Sequence, residues 1–469
     1  MQNSRDGGDV GRLAQAAGQR RALYAAVWRW HFYAGIFVAP FLLLLPLTGL
    51  VMLAAGPIER WQLGGMMSNR PGGSLAATHQ ARLEAARAAL PGAVVVRYQP
   101  GRTAADATRV TLSARGGPHS VFVDAGTGLV LGAVKDSRLL PTIAQALHGS
   151  LLLGAFGDGL VEVAASLGML LLVSGLYLWF PQGTGFWLSL RVGRENRRVA
   201  WRDLHKATGA VLSPALAFYL LSGLAWTQVW GGELVQGWST LGAARAARRG
   251  AGEHKHGALN VGPGRVVPWS LEQTPLPAPA SVGERARATP VSLDAVIAAA
   301  QREGIGDRFF VGRPEGADGV WTVAQTAMNA DVTDPRRELL VHVDAYSGEV
   351  IGRAGWDDYG LVARGMSAGV PMHMGALGGL NLAGAAGVSL ATLLLGLSGL
   401  VTWWLRRPAR AFRLAAPPRP ALARVPAATW ITAVVLGVVF PLAGATLVAV
   451  ALLDWALVRR LPALGRALS

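Results

Sequence analysis

Four of the nine histidines stand in places that recur along the chain. His31 is followed by Gly35, Pro40 and Gly49, at offsets of 4, 9 and 18 residues. His205 is followed by Gly209, Pro214 and Gly223 at the same three offsets. His148 and His373 each precede an apolar block with a related ending, Ser174-Gly-Leu-Tyr-Leu-Trp179 in one and Ser398-Gly-Leu-Val-Thr-Trp403 in the other. Ionisable side chains at or in a bilayer are costly enough to be read as functional first. Two imidazoles on different helices at one depth are what bis-histidine haem ligation requires, one nitrogen from each side of the ring. A glycine four residues on lies one turn along the same face, where it leaves room for a flat macrocycle. Arg29 and Arg202, just ahead of His31 and His205, are placed to meet haem propionates through charge-assisted hydrogen bonds. A single histidine at a helix end is more often a polar cap than a ligand. Four in matched pairs favour two b-type haems, His31 with His205 on one and His148 with His373 on the other.

Composition restricts the alternatives. The 469 residues include no cysteine, which removes disulfides, thiolate metal sites and covalent c-type haem attachment. Hydrophobic residues make up 51% and charged residues 15%, with the apolar ones gathered into long uncharged blocks. Blocks of ~18 residues or more predict membrane-spanning helices. The net charge of +16 could suggest a nucleic-acid partner. Its arginines instead flank the blocks: Arg12, Arg20, Arg21 and Arg29 before the first, Arg191 to Lys206 between the second and third, and Arg406 to Arg424 after the fourth. That is positive-inside patterning, so the partner is a lipid bilayer and not nucleic acid.

The predicted fold is a membrane α-helical bundle of four to five spans with two small periplasmic α+β domains. It starts with a cytoplasmic N-terminus (1–30), a first span (31–58) and a first periplasmic domain (59–147). An outer-face histidine segment with the second span (148–181), a cytoplasmic loop (182–204) and the third span (205–232) follow. An Ala-, Gly- and Pro-rich stretch (233–290) reads as a flexible linker before the second domain (291–364). The fourth span lies within 365–405, a cytoplasmic loop within 406–424, and a fifth span, kinked at Pro441, within 425–458. Arg459, Arg460 and Arg466 in the tail (459–469) would then fall on the wrong side for the charge rule.

Both hydrophilic segments carry a helix and then strands. Val121-Phe-Val-Asp124-Ala-Gly-Thr-Gly128-Leu-Val130-Leu-Gly132 matches Val341-His-Val-Asp344-Ala-Tyr-Ser-Gly348-Glu-Val350-Ile-Gly352. Each predicts a hairpin with an Asp-initiated turn and a glycine at positive φ. With the histidine pattern, this repeat predicts an internal duplication of helix, α+β domain and helix. Asp124 and Asp344 are read as turn formers and not as catalytic acids. Met372 and Met374, beside His373, are read as interface packing, and Glu162 as an interfacial carboxylate. Glu253-His254-Lys255-His256 is read as a solvated loop, and His79, His119 and His342 as surface residues. Nicotinamide, P-loop and zincin motifs are absent from the sequence.

With these residues in view, the chain resembles the PepSY-associated transmembrane family over roughly residues 25–407. The paired hairpins, the two His-x-x-x-Gly starts and the histidines ahead of the second and fourth spans carry the resemblance. Some members of that family are bacterial inner-membrane ferric-siderophore reductases with two b-type haems and periplasmic PepSY domains. The resemblance implies haem ligation by His31, His148, His205 and His373. It also implies a membrane oxidoreductase that passes electrons from an unidentified donor, a quinol among the possibilities, to a periplasmic ferric siderophore or similar chelate. Two other classes compete: a PepSY-based membrane-anchored regulator or inhibitor of a peptidase, and a metal or siderophore transporter. The first gives no reason for matched membrane histidines. The second calls for polar residues at mid-membrane, where the first, third and fourth spans carry only Ser and Thr besides Gly and Pro.

Overall fold

The computed structural model describes residues 3–71, 76–180, 185–240, 251–259, 267, 271–277, 289–312, 320–407, 414–418, 425–453 and 455–456. The side chains of Glu253 and His254, Asp454, and the arginines from Arg459 onward lie outside the described residues. In chain order the helices are α1 (Asn3–Leu53), α2 (Ala55–Leu63), α3 (His79–Ala89), α4 (Leu140–Ser150), α5 (Gly154–Trp179) and α6 (Phe186–Ser189). They continue as α7 (Arg197–Leu224), α8 (Leu293–Arg302), α9 (Leu361–His373), α10 (Gly379–Arg406), α11 (Ala427–Val439) and α12 (Pro441–Leu453). The strands are β1 (Val94–Gln99), β2 (Thr108–Ala114), β3 (Gly117–Val123), β4 (Val130–Lys135) and β5 (Ala251–Lys255). After them come β6 (Pro275–Pro277), β7 (Phe310–Gly312), β8 (Val320–Gln325), β9 (Leu339–Asp344) and β10 (Val350–Gly355). The chain divides into a helical unit (1–48, 147–232, 387–469) and a sheet unit (49–146, 233–386).

Among the described residues, four helices are long and apolar enough to cross a membrane: Gln15–Leu53 within α1, then α5, α7 and α10. They match the first four expected spans. Pro40, Pro46 and Pro214 lie inside α1 and α7 without ending them, as membrane helices tolerate. Small residues set the packing. A Cβ on Gly168 of α5 would lie 3.2 Å from Leu220 of α7, and one on Gly396 of α10 would lie 3.3 Å from Leu42 and Leu43 of α1. Gly35 of α1 faces Leu171 of α5, and Gly209 of α7 faces Leu395 of α10. Thus α1 and α7 each sit between α5 and α10, and face one another across the bundle.

The fifth apolar block differs from the expected single kinked span. It forms two 13-residue helices, α11 and α12, broken at Phe440. They fold back on each other, since Gly444 abuts Gly437 so closely that a Cβ there would overlap the Gly437 carbonyl oxygen. Pro441, with no backbone N–H to give to α11, starts the second arm. Each arm is about 20 Å long, short of the ~30 Å hydrocarbon core. The tip is buried: Phe440 and Ala443 pack with Val38, Val163 and Leu224, and Trp230 donates from Nε1 to Val439 O at 3.0 Å. Since the chain has no native cysteine, single cysteines at Ala427 and Leu453 can be labelled cleanly. Both should react with an impermeant thiol reagent from the same membrane face; labelling from opposite faces would refute the hairpin.

In the sheet unit, the two segments expected as separate domains share one eight-stranded antiparallel sheet of order β10-β9-β8-β7-β1-β2-β3-β4. The seam between the halves is short, Arg97 opposite Gly312 and Tyr98 opposite Val311. One face packs on α3 and α8, through Leu83, Ala86, Val296, Ile297 and Ala300. Those helices cap each other: Asp294 accepts from His79 N and Gln80 N at 2.9 and 3.0 Å, and Gln80 Oε1 accepts from Leu293 N at 2.9 Å. The Asp turns form as read. Asp124 Oδ1 accepts from Gly126 N and Thr127 N, Asp344 Oδ1 accepts from Tyr346 N and Ser347 N, and Gly128 and Gly348 have φ of 73° and 71°.

The described part of the expected linker is structured. It pairs β5 with β6 and buries Val267 and Leu271 against Phe310, Leu340 and Ala354 on the second face of the sheet. His342 points to that face, because side chains alternate along β9. It is therefore buried, not exposed, and meets the equally buried His256 at 2.9 Å between Nε2 atoms.

Candidate functional site

In α1, His31 points at the Ser-Gly pair of α5. Its Nδ1 lies 2.8 Å from Ser174 Oγ, whose hydroxyl donates to Leu170 O at 2.7 Å. With Leu170 O there to take the hydroxyl proton, the Ser174 oxygen can accept from His31 Nδ1. His205 in α7 repeats the arrangement against α10. Its Nδ1 is 3.1 Å from Leu395 O and 3.3 Å from Ser398 Oγ, and Ser398 donates to Leu395 O. A carbonyl accepts only, which places this proton on Nδ1 as well.

The glycines that abut these rings are not the ones the sequence singled out. A Cβ on Gly175 would lie 3.2 Å from His31 Cε1, and one on Gly399 would lie 3.1 Å from His205 Cε1. Gly35 and Gly209 instead face leucines of the neighbouring helix. The two helix pairs make the same contacts at the same offsets. Histidine meets Ser-Gly, and the glycine four residues later meets the leucine three residues earlier.

His148 occupies a second level. At the end of α4, its Nδ1 lies 3.0 Å from Leu45 O and 3.0 Å from Thr48 Oγ1, both on α1. Leu45 lies fourteen residues beyond His31, or about 21 Å along the helix axis. The carbonyl again fixes the proton on Nδ1. His373 belongs to the sheet unit, where it closes α9. The turn beyond it is held by Asn381, whose Nδ2 donates to Met372 O at 2.9 Å and whose Oδ1 accepts from Leu377 N at 3.0 Å. Gly375 in that turn has φ of 69° and lies under Leu53.

The cations ahead of His31 and His205 are engaged locally. Arg29 donates to Tyr33 Oη at 2.8 Å and to Pro417 O. Arg202 pairs with its neighbour Asp203 at 2.9 Å, a carboxylate also shared by Lys206. Arg406, read in the sequence only as a charge flanking the fourth block, lies over the Phe32 ring at 4.8 Å and the Trp28 ring at 5.6 Å. Its buried Nε, like the buried Trp179 Nε1, has no acceptor among the described residues. Glu162 is buried: its carboxylate caps the turn after α7, accepting from Val229 N at 3.1 Å and Trp230 N at 3.2 Å.

This arrangement can present a lone pair to a metal centre. In His31, His148 and His205 the Nδ1 faces a neighbouring oxygen, which leaves Nε2 as the nitrogen that could meet a metal. Metal-bound histidines are held in this way by an oxygen acceptor behind the ring. Among the described residues, no group of three or more His, Asp or Glu side chains could enclose a free metal ion. The donor set therefore suits an axial pair better than a polydentate ion cage. Buried donors at Arg406 and Trp179 suit the carboxylates that a haem carries at its edge.

The four long apolar helices and the antiparallel sheet unit define a multi-span membrane protein. The chain belongs to the PepSY-associated TM region family, whose model matches residues 28–407. No curated protein matches the chain.

Proposed function

We propose that the protein is a di-haem membrane oxidoreductase that passes electrons across a bacterial inner membrane to a periplasmic ferric chelate, most simply a ferric siderophore. The observation that carries this reading is the shared geometry of His31, His205 and His148, each with Nδ1 donated and Nε2 presented. On this reading His31 and His205, from helices that face one another across the bundle, hold one haem. His148 and His373 hold the second, with the N-terminus cytoplasmic and the PepSY-like sheet unit periplasmic. Bound there, the two haems would supply a one-electron path between the faces of the membrane.

The chain's own residues hold and orient. The oxygens of Ser174, Leu395 and Leu45 fix the imidazole rings, and Gly175 and Gly399 let those rings lie against the helix backbone. Arg406 is the cation placed to meet a propionate at the His31 end. Reduction of the bound chelate to Fe(II) would weaken its hold, because oxygen donors favour the harder Fe(III). A transport path is less well supported. Ser213, Ser222 and Thr392 spend their hydroxyl protons on carbonyls of their own helices.

A reduced-minus-oxidised spectrum of the purified protein, with a pyridine haemochrome assay, tests the reading. About two b-type haems per chain are expected. His31→Ala or His205→Ala should remove one, and His148→Ala or His373→Ala the other. Folded protein without haem, made in cells supplied with it, would refute the proposal.

A further inference from the structure

We infer that Ser174 is a positioning residue that sets both the orientation and the reduction potential of the His31 centre, with Ser398 playing a smaller part at His205. This rests on the haem reading above. The difference between the two serines follows from the partners behind each ring. Ser174 Oγ is the only hydrogen-bond partner of the His31 imidazole among the described residues. His205 Nδ1 has two acceptors, Leu395 O at 3.1 Å and Ser398 Oγ at 3.3 Å. Removing one hydroxyl therefore strips His31 of its acceptor but leaves His205 with the nearer of its two.

An oxygen that accepts from Nδ1–H makes the imidazole a more basic ligand through Nε2. A more basic ligand stabilises the ferric over the ferrous state. Ser174 is suited to this role because Leu170 O, 2.7 Å away, offers its proton an acceptor of its own, which leaves the hydroxyl oxygen to accept from the ring. The adjoining Gly175 removes the side chain that would push His31 off this hydroxyl. Serine and glycine act together, the one as acceptor and the other as clearance.

Ser174→Ala and Ser398→Ala are compared with the wild type by potentiometric titration and haem count in the full-length protein. Ser174→Ala should keep about two haems and shift one centre upward, toward easier reduction, by about tenfold in the ferric–ferrous equilibrium, about 59 mV for one electron. Ser398→Ala should shift less, and Ser174→Thr, which keeps a hydroxyl, should stay near the wild type. If Ser174→Ala loses haem while Ser174→Thr keeps it, the positioning role stands. Normal haem content with unmoved potentials in Ser174→Ala would overturn the inference and leave the di-haem reading intact. Equal shifts in the two alanine variants, or loss of haem in Ser174→Thr as well, would also overturn it. Wild-type protein without haem would fail the earlier reading first.

Discussion

Gly157→Ala should unfold the turn that carries His148 and, on the proposed di-haem reading, cost the protein one haem while sparing the other. The added Cβ would overlap the Ser150 carbonyl, both its oxygen and its carbon. Both atoms are backbone, so no rotamer change relieves the overlap. Alanine gains up to ~1 kcal/mol over glycine in a helix interior, and overpacking usually costs about 1–3 kcal/mol. A backbone overlap this deep belongs at the upper end of that range or above it, so the clash wins. The turn has little slack to absorb the movement, because Leu151, Leu152 and Gly154 already have φ of 53°, 60° and 59°, a region that non-glycine residues enter at a cost. Ser150 ends α4 two residues after His148, so its displacement draws the imidazole away from Leu45 and Thr48. A thermal melt and a haem count on the purified variant check this. An unchanged melt with two haems would show that the α4–α5 turn yields without consequence.

The parts of this architecture that were legible in the sequence are those with local causes. Uncharged blocks announce the four long helices, because no other element buries so much apolar chain without a charge. The Asp-Ala-x-[ST]-Gly turns announce their hairpins, because the carboxylate satisfies turn amides only two or three residues away. The other features depend on partners far off in the chain. The Ser-Gly-Leu repeat was visible, yet nothing in α5 says that Ser174 will stand behind a histidine 143 residues earlier. One sheet in place of two follows from two residue pairs at the seam, too few to leave a pattern. His342 misled for a related reason. A polar residue on an alternating strand reads as solvent-facing, and only the residues of the supposed linker, packed over that face, reverse the reading. The terminal block read as a span because length and hydropathy do not register a reversal at Phe440.

The buried histidine pair is expected to make the sheet unit acid-sensitive, and its hydrogen bonds fix the direction. His256 Nδ1 faces Thr274 O at 2.9 Å and must donate to it, so His256 Nε2 is an acceptor. His342 Nε2 then donates across the 2.9 Å gap, and His342 Nδ1 accepts from Thr322 Oγ1 at 3.0 Å. Every ring nitrogen is satisfied with both rings neutral. A proton added to either ring would set two N–H groups against each other, or a charge against buried surroundings. Burial accordingly holds His342 well below its ordinary 6.5, with repulsion from His256 adding to it, and burial lowers His256 also.

Both folded values are depressed, so their stabilisation is present above pH 6.5 and is lost as the pH falls below it, when the unfolded chain takes up protons that the folded one refuses. Each proton contributes a slope of up to about 1.4 kcal/mol per pH unit. Two buried carboxyls oppose this. Burial raises Glu338 from 4.5 to about 7 and Asp331 from 3.8 to about 6, and their contribution is lost as the pH rises through those windows. The wild-type profile therefore mixes two signs, and a difference against His342→Gln separates them. Glutamine can still donate toward His256 and accept from Thr322 but does not titrate. At pH 8 the variant should be the less stable by about 1–3 kcal/mol, for hydrogen bonds made less well in a buried site. By pH 5 that deficit should shrink by more than ~1 kcal/mol or reverse, because only the wild type still carries the cost of keeping His342 uncharged. Melts of the full-length protein and the variant from pH 8 to pH 5 would show it, and parallel curves would mean that the pair is not what senses acid.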